Sequence, residues 1–269
     1  MDPRKLAQCY EEEILPYWDD LFVPFVMEAF PERIPEKASL LEMSCTTGRL
    51  TEELVNRLQA GGRVIAIEDI RDLMEIGRRK VAVFDHKQVF FKKEPSDKIS
   101  FADETFDGVL SAGLATSYKL EDVLAEAVRL LKSDGFLLMG VALKGSFQEL
   151  LDIFREVLEK EDLIKVQESL DRLGLRMPDR AGAVHMLGRL GLVETRVRTR
   201  ESCVHFENAL AFLQAPLIRE HCLEACLALI QDRSWREGVL AGMVRSLDIY
   251  FPEGIDLTIA MGRLEGTKA

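Results

Sequence analysis

The chain has 269 residues, 47% of them apolar and 30% charged, with 18 Gly and 9 Pro. That is enough for one sizeable core, and it excludes disordered, collagen-like and disulfide-scaffold classes. Lys and Arg number 35 against 46 Asp and Glu, a formal charge of -11, and such a surface repels a phosphate backbone, so no nucleic-acid partner is expected.

The N-terminus leads from Met1-Asp2-Pro3-Arg4-Lys5 into Glu11-Glu12-Glu13 rather than into an apolar run. No charge-free stretch is longer than Gly108 to Tyr118, which contains Ser, Thr and Gly. Neither a signal peptide nor a membrane span is expected. The five cysteines, Cys9, Cys45, Cys203, Cys222 and Cys226, form no CxxC pair and are odd in number, which points to reduced thiols and a cytoplasmic protein. Cys222 and Cys226 share a helix face beside His221 but lack the further ligands of a metal site, so core packing is expected there and no metal.

Taken in chain order, the pattern alternates. Tyr10 to Phe30 mixes aromatics with acids and two prolines. The apolar run Leu40-Leu41-Glu42-Met43 stops at Ser44-Cys45-Thr46-Thr47-Gly48, a buried strand feeding a loop. Leu50, Leu54, Val55 and Leu58 then follow helical spacing to Gly61-Gly62, and Val64-Ile65-Ala66-Ile67 is a second strand. A helix from about Arg71 to Lys80, strands at Val89 to Phe91 and Val109-Leu110, and a helical stripe from Leu120 to Leu131 follow. The stripe ends at Ser133-Asp134-Gly135, before a strand from Phe136 to Val141. Alternation of this kind, with strands apolar throughout, predicts an α/β fold with a parallel sheet covered by helices on both faces. Past Gly145, Phe147 to Leu173 reads as one or two amphipathic helices, and Arg180 to Leu190 as another. Leu192 to Thr199 and Ile255 to Met261 alternate as half-exposed strands, and Asn208 to Leu247 between them is mostly helical, broken at Pro216 and Asp232 to Ser234.

An open parallel sheet binds ligands beyond the carboxyl ends of its strands, where strand order reverses. Here that place is the loop Glu42 to Gly48. Glu68 ends the next strand twenty residues past Gly48, and a carboxylate there can hold two vicinal ribose hydroxyls. The arrangement predicts a nucleoside-containing cofactor.

Four segments in this order resemble a known family. Leu40 to Leu50 is similar to an acid followed by Gly-x-Gly-x-Gly, Val64 to Glu68 with Met74 to Lys80 to a second-strand acid and its helix, Ile99 to Ser111 to a fourth-strand motif, and Arg129 to Gly135 to a Leu-Lys-Pro-Gly-Gly turn. The chain thereby resembles the class I S-adenosylmethionine-dependent methyltransferases of the type 11/25-like small-molecule kind, over roughly residues 10 to 200. The resemblance implies one Rossmann-like three-layer sandwich with a seven-stranded, mostly parallel sheet, an antiparallel last strand and inserted helices. Residues 1–35 would form an N-terminal helical lid, 36–144 the cofactor-binding core, 145–190 a helical cap and 191–269 the C-terminal strands and helices.

It also implies a site. S-adenosylmethionine would be held by Glu42 at its methionine end and by Glu68, with Asp69 beside it, at its ribose. Ser44, Thr46 and Gly48 of the loop and Ser111 after the fourth strand would line it; Glu94 is the candidate for adenine, and Tyr17 or Tyr10 for a lid. Two of the three motif glycines are replaced, by Ser44 and Thr46, and Pro95 stands where the family often has an acid. A non-glycine residue held at positive φ costs about 1 to 3 kcal/mol, roughly one to two orders of magnitude in affinity. His86, His185, His205 and His221 form no dyad, and Ser111 to Tyr118 contains no His, Asp or Glu, so no catalytic base is named. The expected activity is methyl transfer to a small-molecule or carrier-bound acceptor. The alternative is a catalytically degenerate scaffold that works through a protein partner.

Overall fold

The computed structural model describes residues 3–84, 88–114, 119–173 and 177–269. In chain order the elements are α1 (Pro3–Cys9), a π-helical turn (Tyr10–Ile14), a 3-10 turn (Leu15–Tyr17), α2 (Asp19–Met27), β1 (Ser39–Met43), α3 (Arg49–Arg57), β2 (Arg63–Ile67), α4 (Arg71–Val81), β3 (Val89–Lys92), β4 (Phe106–Leu114), α5 (Leu120–Leu130), β5 (Leu131–Ala142), β6 (Lys144–Phe147), α6 (Gln148–Lys160), α7 (Ile164–Leu173), α8 (Arg180–Gly188), β7 (Leu192–Phe206), α9 (Ala209–Gln214), α10 (Pro216–Ile218), a second π turn (Arg219–Leu223), α11 (Glu224–Ala228), α12 (Arg233–Tyr250) and β8 (Ile255–Lys268). The sheet has seven strands in the order β3-β2-β1-β4-β5-β8-β7. β1 pairs in parallel with β2 and β4, β4 with β5, and β8 runs antiparallel to β5. This is the Rossmann-like sandwich that the alternation and the resemblance predict. Strand order reverses between β1 and β4, so the crevice at their carboxyl ends is the place for a ligand.

Three boundaries differ from the sequence reading. The helical stripe ends at Leu130 rather than at Ser133, because Leu131 already pairs with Phe106 of β4; Asp134, at φ 61°, then turns the chain so that Phe136 can pair with Gly108. β4 is far longer than its two most apolar residues suggested, since Ser111, Ala112 and Gly113 are buried in the sheet. β7 extends to Phe206 and is mostly exposed, as befits an edge strand with no further neighbour.

The chain divides into two compact units, one of residues 1–142, 178–199 and 261–269, the other of 143–177 and 200–260. In the first, the N-terminal segment is tied down from several directions. The Trp18 indole Nε1 donates to the Gly113 carbonyl at 2.6 Å, Arg263 of β8 donates to the Phe25 carbonyl at 2.6 Å, and Lys80 of α4 pairs with Glu11 at 2.5 Å. The loop before β4 hangs on Arg129, whose guanidinium reaches the carbonyls of Ile99 and Phe101 and the carboxylates of Asp103 and Glu126. In the second unit, the Glu149 carboxylate accepts from both the amide and the hydroxyl of Thr258, and α12 approaches α6 at Gly242, where a Cβ would stand 2.8 Å from Val157.

Helices α3 and α4 meet at a pair of glycines. Gly48 sits at φ 83°, and a Cβ added there would lie 2.9 Å from the Cα of Gly77. Gly48→Ala therefore meets both a disfavoured backbone and a backbone clash, and a loss of about 2 to 4 kcal/mol is expected in a denaturant titration; a loss under 1 kcal/mol would contradict the contact.

Candidate active site

The loop from Ser44 to Gly48 keeps a glycine-type backbone without the glycines. Ser44 stands at φ 54° and Thr46 at φ 49°, with Gly48 at 83°. The strained turns are held by bonds on every side: Cys45 N donates to the Ile67 carbonyl at 2.8 Å, Gly48 N to the Cys45 carbonyl at 2.7 Å, and the Ser44 and Ser96 hydroxyls share a bond of 2.8 Å. The two replaced positions thus cost local strain that the surrounding structure over-determines.

Two strand-end acids flank this loop. Glu68 is buried and accepts from Thr46 N at 2.9 Å and from Ile70 N at 3.0 Å, one amide to each carboxyl oxygen, so it fastens the β1 loop to the β2 loop. Glu42 is 1% exposed and accepts the Thr51 hydroxyl at 2.5 Å. Burial disfavours the charged form of each and pushes both carboxyls up to about 8, the bonds from Thr51 and from the two amides opposing it only in part. The N-terminal segment brings a third. Asp19 is 3% exposed, and burial raises it to about 7 despite a bond from the Tyr10 phenol and the pull of Lys80. Tyr10, itself buried, donates to Asp19 and accepts from the Thr46 side chain, so the chain's first helical turns are stitched to the loop.

Among the described residues, the buried side-chain oxygens without a hydrogen-bond partner are Asp19 Oδ2, Thr47 Oγ1 and Ser111 Oγ, with Glu11 Oε2 on the N-terminal π turn. Thr47 and Ser111 are both fully buried. A desolvated hydroxyl or carboxyl oxygen without a partner costs about 1 to 3 kcal/mol, and several together mark a place built for something else to complete.

The structure therefore brings Glu42, Ser44, Thr46, Gly48 and Glu68 together, and Asp69 joins them through its side-chain bond to Glu68. Ser111 lies on β4, buried and without a partner. Glu94 is engaged elsewhere: it pairs with Lys92 at 2.8 Å and accepts from the amide and hydroxyl of Ser100, which hold its carboxyl below the usual range. Tyr17 is 46% exposed, whereas Tyr10 is the tyrosine at the loop. Sequence reading passed over Asp19, Trp18 and Thr47, and for Asp19 the only local hint is its place in the acidic first turn of α2. Ala115 to Tyr118 and His86, considered above, lie outside the described residues. His221 is buried and pushed down to about 4, and the Cys222 and Cys226 sulfurs lie 4.0 Å apart within the core. Among the described residues no group of three His, Cys, Asp or Glu is placed to hold a metal, and no helix is long and apolar enough to cross a membrane.

Part of the chain is similar in sequence to known proteins, and most of it in fold. Residues 41–139 match the family described as a methyltransferase domain. The demethylmenaquinone methyltransferase of Symbiobacterium thermophilum is 30% identical over 98 residues, 36% of this chain and 39% of that protein. The 2-phytyl-1,4-naphtoquinone methyltransferase of Thermosynechococcus vestitus is 30% identical over 104 residues, 38% of this chain and 45% of the relative. The match thus spans less than half the length of either. Among solved structures, the YcgJ protein of Bacillus subtilis superposes with a TM-score of 0.55 at 13% identity, over 91% of this chain and 96% of the other. The geranyl diphosphate C-methyltransferase of Streptomyces coelicolor A3(2) gives 0.53 at 12% identity, over 92% and 78%. At such identities the likeness establishes the fold.

Proposed function

We propose that the chain binds S-adenosylmethionine beyond the carboxyl ends of β1, β2 and β4 and transfers its methyl group to a small-molecule acceptor. The observation that carries this reading is the set of buried, unpartnered oxygens, Asp19 Oδ2, Thr47 Oγ1 and Ser111 Oγ, beside the two strand-end acids. They are acceptors and hydroxyls, the donor set that suits an amino-acid headgroup with a cationic centre. Glu68 accepts one amide at each oxygen and is bonded to the Asp69 side chain, which leaves one acceptor site for a ribose hydroxyl. The fit is therefore chemical as well as topological, and the Ser44 and Thr46 replacements leave the backbone in the shape that glycines would give it.

When bound, S-adenosylmethionine supplies an electrophilic methyl group on a sulfonium. The chain's own share of the work is to bind and align. Glu42 and Asp19 supply buried carboxyl oxygens at the strand ends that can take up cationic charge, Glu68 fixes the loop, and the buried Trp18 and Phe22, ring centroids 4.9 Å apart, keep water out beside Gly113. With no base identified, the best acceptor is one already nucleophilic when it arrives, such as a carboxylate, a thiolate or a readily ionised ring carbon or oxygen. The curated relatives' names, those of quinone methyltransferases, support a small-molecule acceptor.

Calorimetric titration with S-adenosylmethionine and S-adenosylhomocysteine tests this. Micromolar binding is expected, weakened at least a hundredfold by Glu68→Ala, which takes the ribose acceptor and frees two loop amides at once. No heat and no thermal shift at millimolar ligand would overturn the enzyme reading and leave a scaffold that works through protein partners.

A further inference from the structure

We propose that the N-terminal segment adds a second carboxylate, Asp19, to the end of the site that receives cationic charge, so that the sulfonium cofactor binds with release of a proton from the Asp19 and Glu42 carboxyls while its neutral thioether product binds without it. The inference rests on the cofactor reading above and goes beyond it in assigning a residue and a selectivity. The geometry is specific. Asp19 opens α2 directly after Trp18, whose indole bond to Gly113 pins it against β4 two residues from Ser111. Asp19 is joined to the motif loop through Tyr10, which also accepts from Thr46. One Asp19 oxygen takes the Tyr10 phenol; the other is buried without a partner.

Consider the charges that face it. From the N-terminal turns come Tyr10, Glu11 and Asp20, from α4 Lys80, from β1 Glu42, and from the loop Cys45, with Glu68 acting on Tyr10 and Glu42 behind them. Lys80, the one cation in this set, is already paired with Glu11 at 2.5 Å. Asp19 and Glu42 therefore repel one another, and burial disfavours the charge of both. Without a ligand the neutral acid is the economical form. A ligand of net positive charge reverses that balance: the carboxyl O–H bond breaks, its electron pair stays on oxygen as carboxylate, and the proton passes to buffer. S-adenosylmethionine carries one more positive charge than S-adenosylhomocysteine, because its sulfur bears a third carbon. The coupling thus favours the charged cofactor over the spent one, and increasingly so as protons become scarce. Residues far apart in sequence would in this way set product release.

The test is titration of each ligand between pH 6 and 8.5, repeated in buffers of different ionisation enthalpy so that protons released are counted directly. Over the acid part of this range, S-adenosylmethionine affinity is expected to rise up to about tenfold per pH unit more steeply than that of S-adenosylhomocysteine, which corresponds to one extra proton released. Asp19→Asn should remove most of that difference. Tyr10→Phe, which keeps the carboxyl but deletes its donor, should move the inflection to higher pH, and it serves as the second variant should the first fold poorly. Equal slopes for the two ligands, or an unchanged difference in both variants, would overturn the inference while leaving the cofactor site standing. Heat from neither ligand at any pH would overturn the cofactor reading itself, and this inference with it.

Discussion

Trp18→Ala will lower the stability of the unit that holds the sheet by about 3 to 5 kcal/mol, the range for emptying a buried indole site. Trp18 is 1% exposed, stacks obliquely on Phe22 and gives its N–H to the Gly113 carbonyl at 2.6 Å. Truncation removes the ring from water-free surroundings and orphans a carbonyl within β4, and neither loss can be repaired by collapse, because Gly113 stands at φ 66° with no side chain to fill the gap. A change of that size shifts the thermal midpoint by roughly 10 °C in a chain of this length. Trp18→Phe separates the contributions: it keeps most of the apolar volume and loses only the bond, so about 1 to 2 kcal/mol is expected. The truncation should also abolish S-adenosylmethionine binding, since it undocks the residue next to Asp19. Full stability in Trp18→Ala, read from urea unfolding, would show that the N-terminal segment does not hold on to β4 as described.

The contrast between Trp18 and its neighbour Tyr17 shows what the sequence could and could not disclose. The sheet was legible because buried parallel strands must be apolar throughout, as in Val64 to Ile67; the helices were legible from spacing, and the break at Asp232 proves to be a helix cap, as does Asn208, their side-chain oxygens accepting the amides of Ser234 and Ala211. Strand-end acids were legible because topology alone places Glu42 and Glu68 at the switch point. The lid was not. Two irregular turns precede α2, and they decide whether residue 17 or residue 18 turns inward. No period of 2 or 3.6 carries that information. Asp19 escaped notice for a related reason: an acid in the first turn of a helix is ordinarily a solvated partner of the helix dipole, and only the tertiary contacts through Tyr10 and Trp18 bury it. Glu94 shows the reverse case, a residue well placed in sequence whose carboxylate is spent on Lys92 and Ser100 within its own loop.

Free of ligand, the protein should lose stability as pH rises from 7 to 8.5. A carboxyl whose folded value is raised holds its proton in the native state after the unfolded chain has lost it. Its stabilisation is complete below the unfolded value and is lost as pH climbs through the folded one. Glu42 and Glu68 near 8 each forfeit about 1.2 kcal/mol over this interval, and Asp19 near 7 about 0.4, so a loss of roughly 2 to 3 kcal/mol is expected. Buried Cys45, pushed up by burial and by the same acids, adds in the same direction. His221 acts oppositely but elsewhere: with its folded value near 4, its contribution is lost as pH falls below the unfolded value of about 6.5 and is complete above pH 7. The carboxylates of Glu94 and Glu126, held low by Lys92 and Arg129, act at still lower pH. The window from 7 to 8.5 therefore isolates the buried acids. Glu42→Gln keeps an oxygen for the Thr51 hydroxyl and cannot ionise, so it should flatten close to half of the slope, and its stability relative to the wild type should grow by about 1.2 kcal/mol between pH 7 and 8.5. Thermal midpoints of wild type and Glu42→Gln across this range decide the matter: a wild-type midpoint that stays level or climbs toward pH 8.5 would mean that Glu42 and Glu68 are already ionised at pH 7, and that the strand ends present fixed negative charge rather than an exchangeable proton.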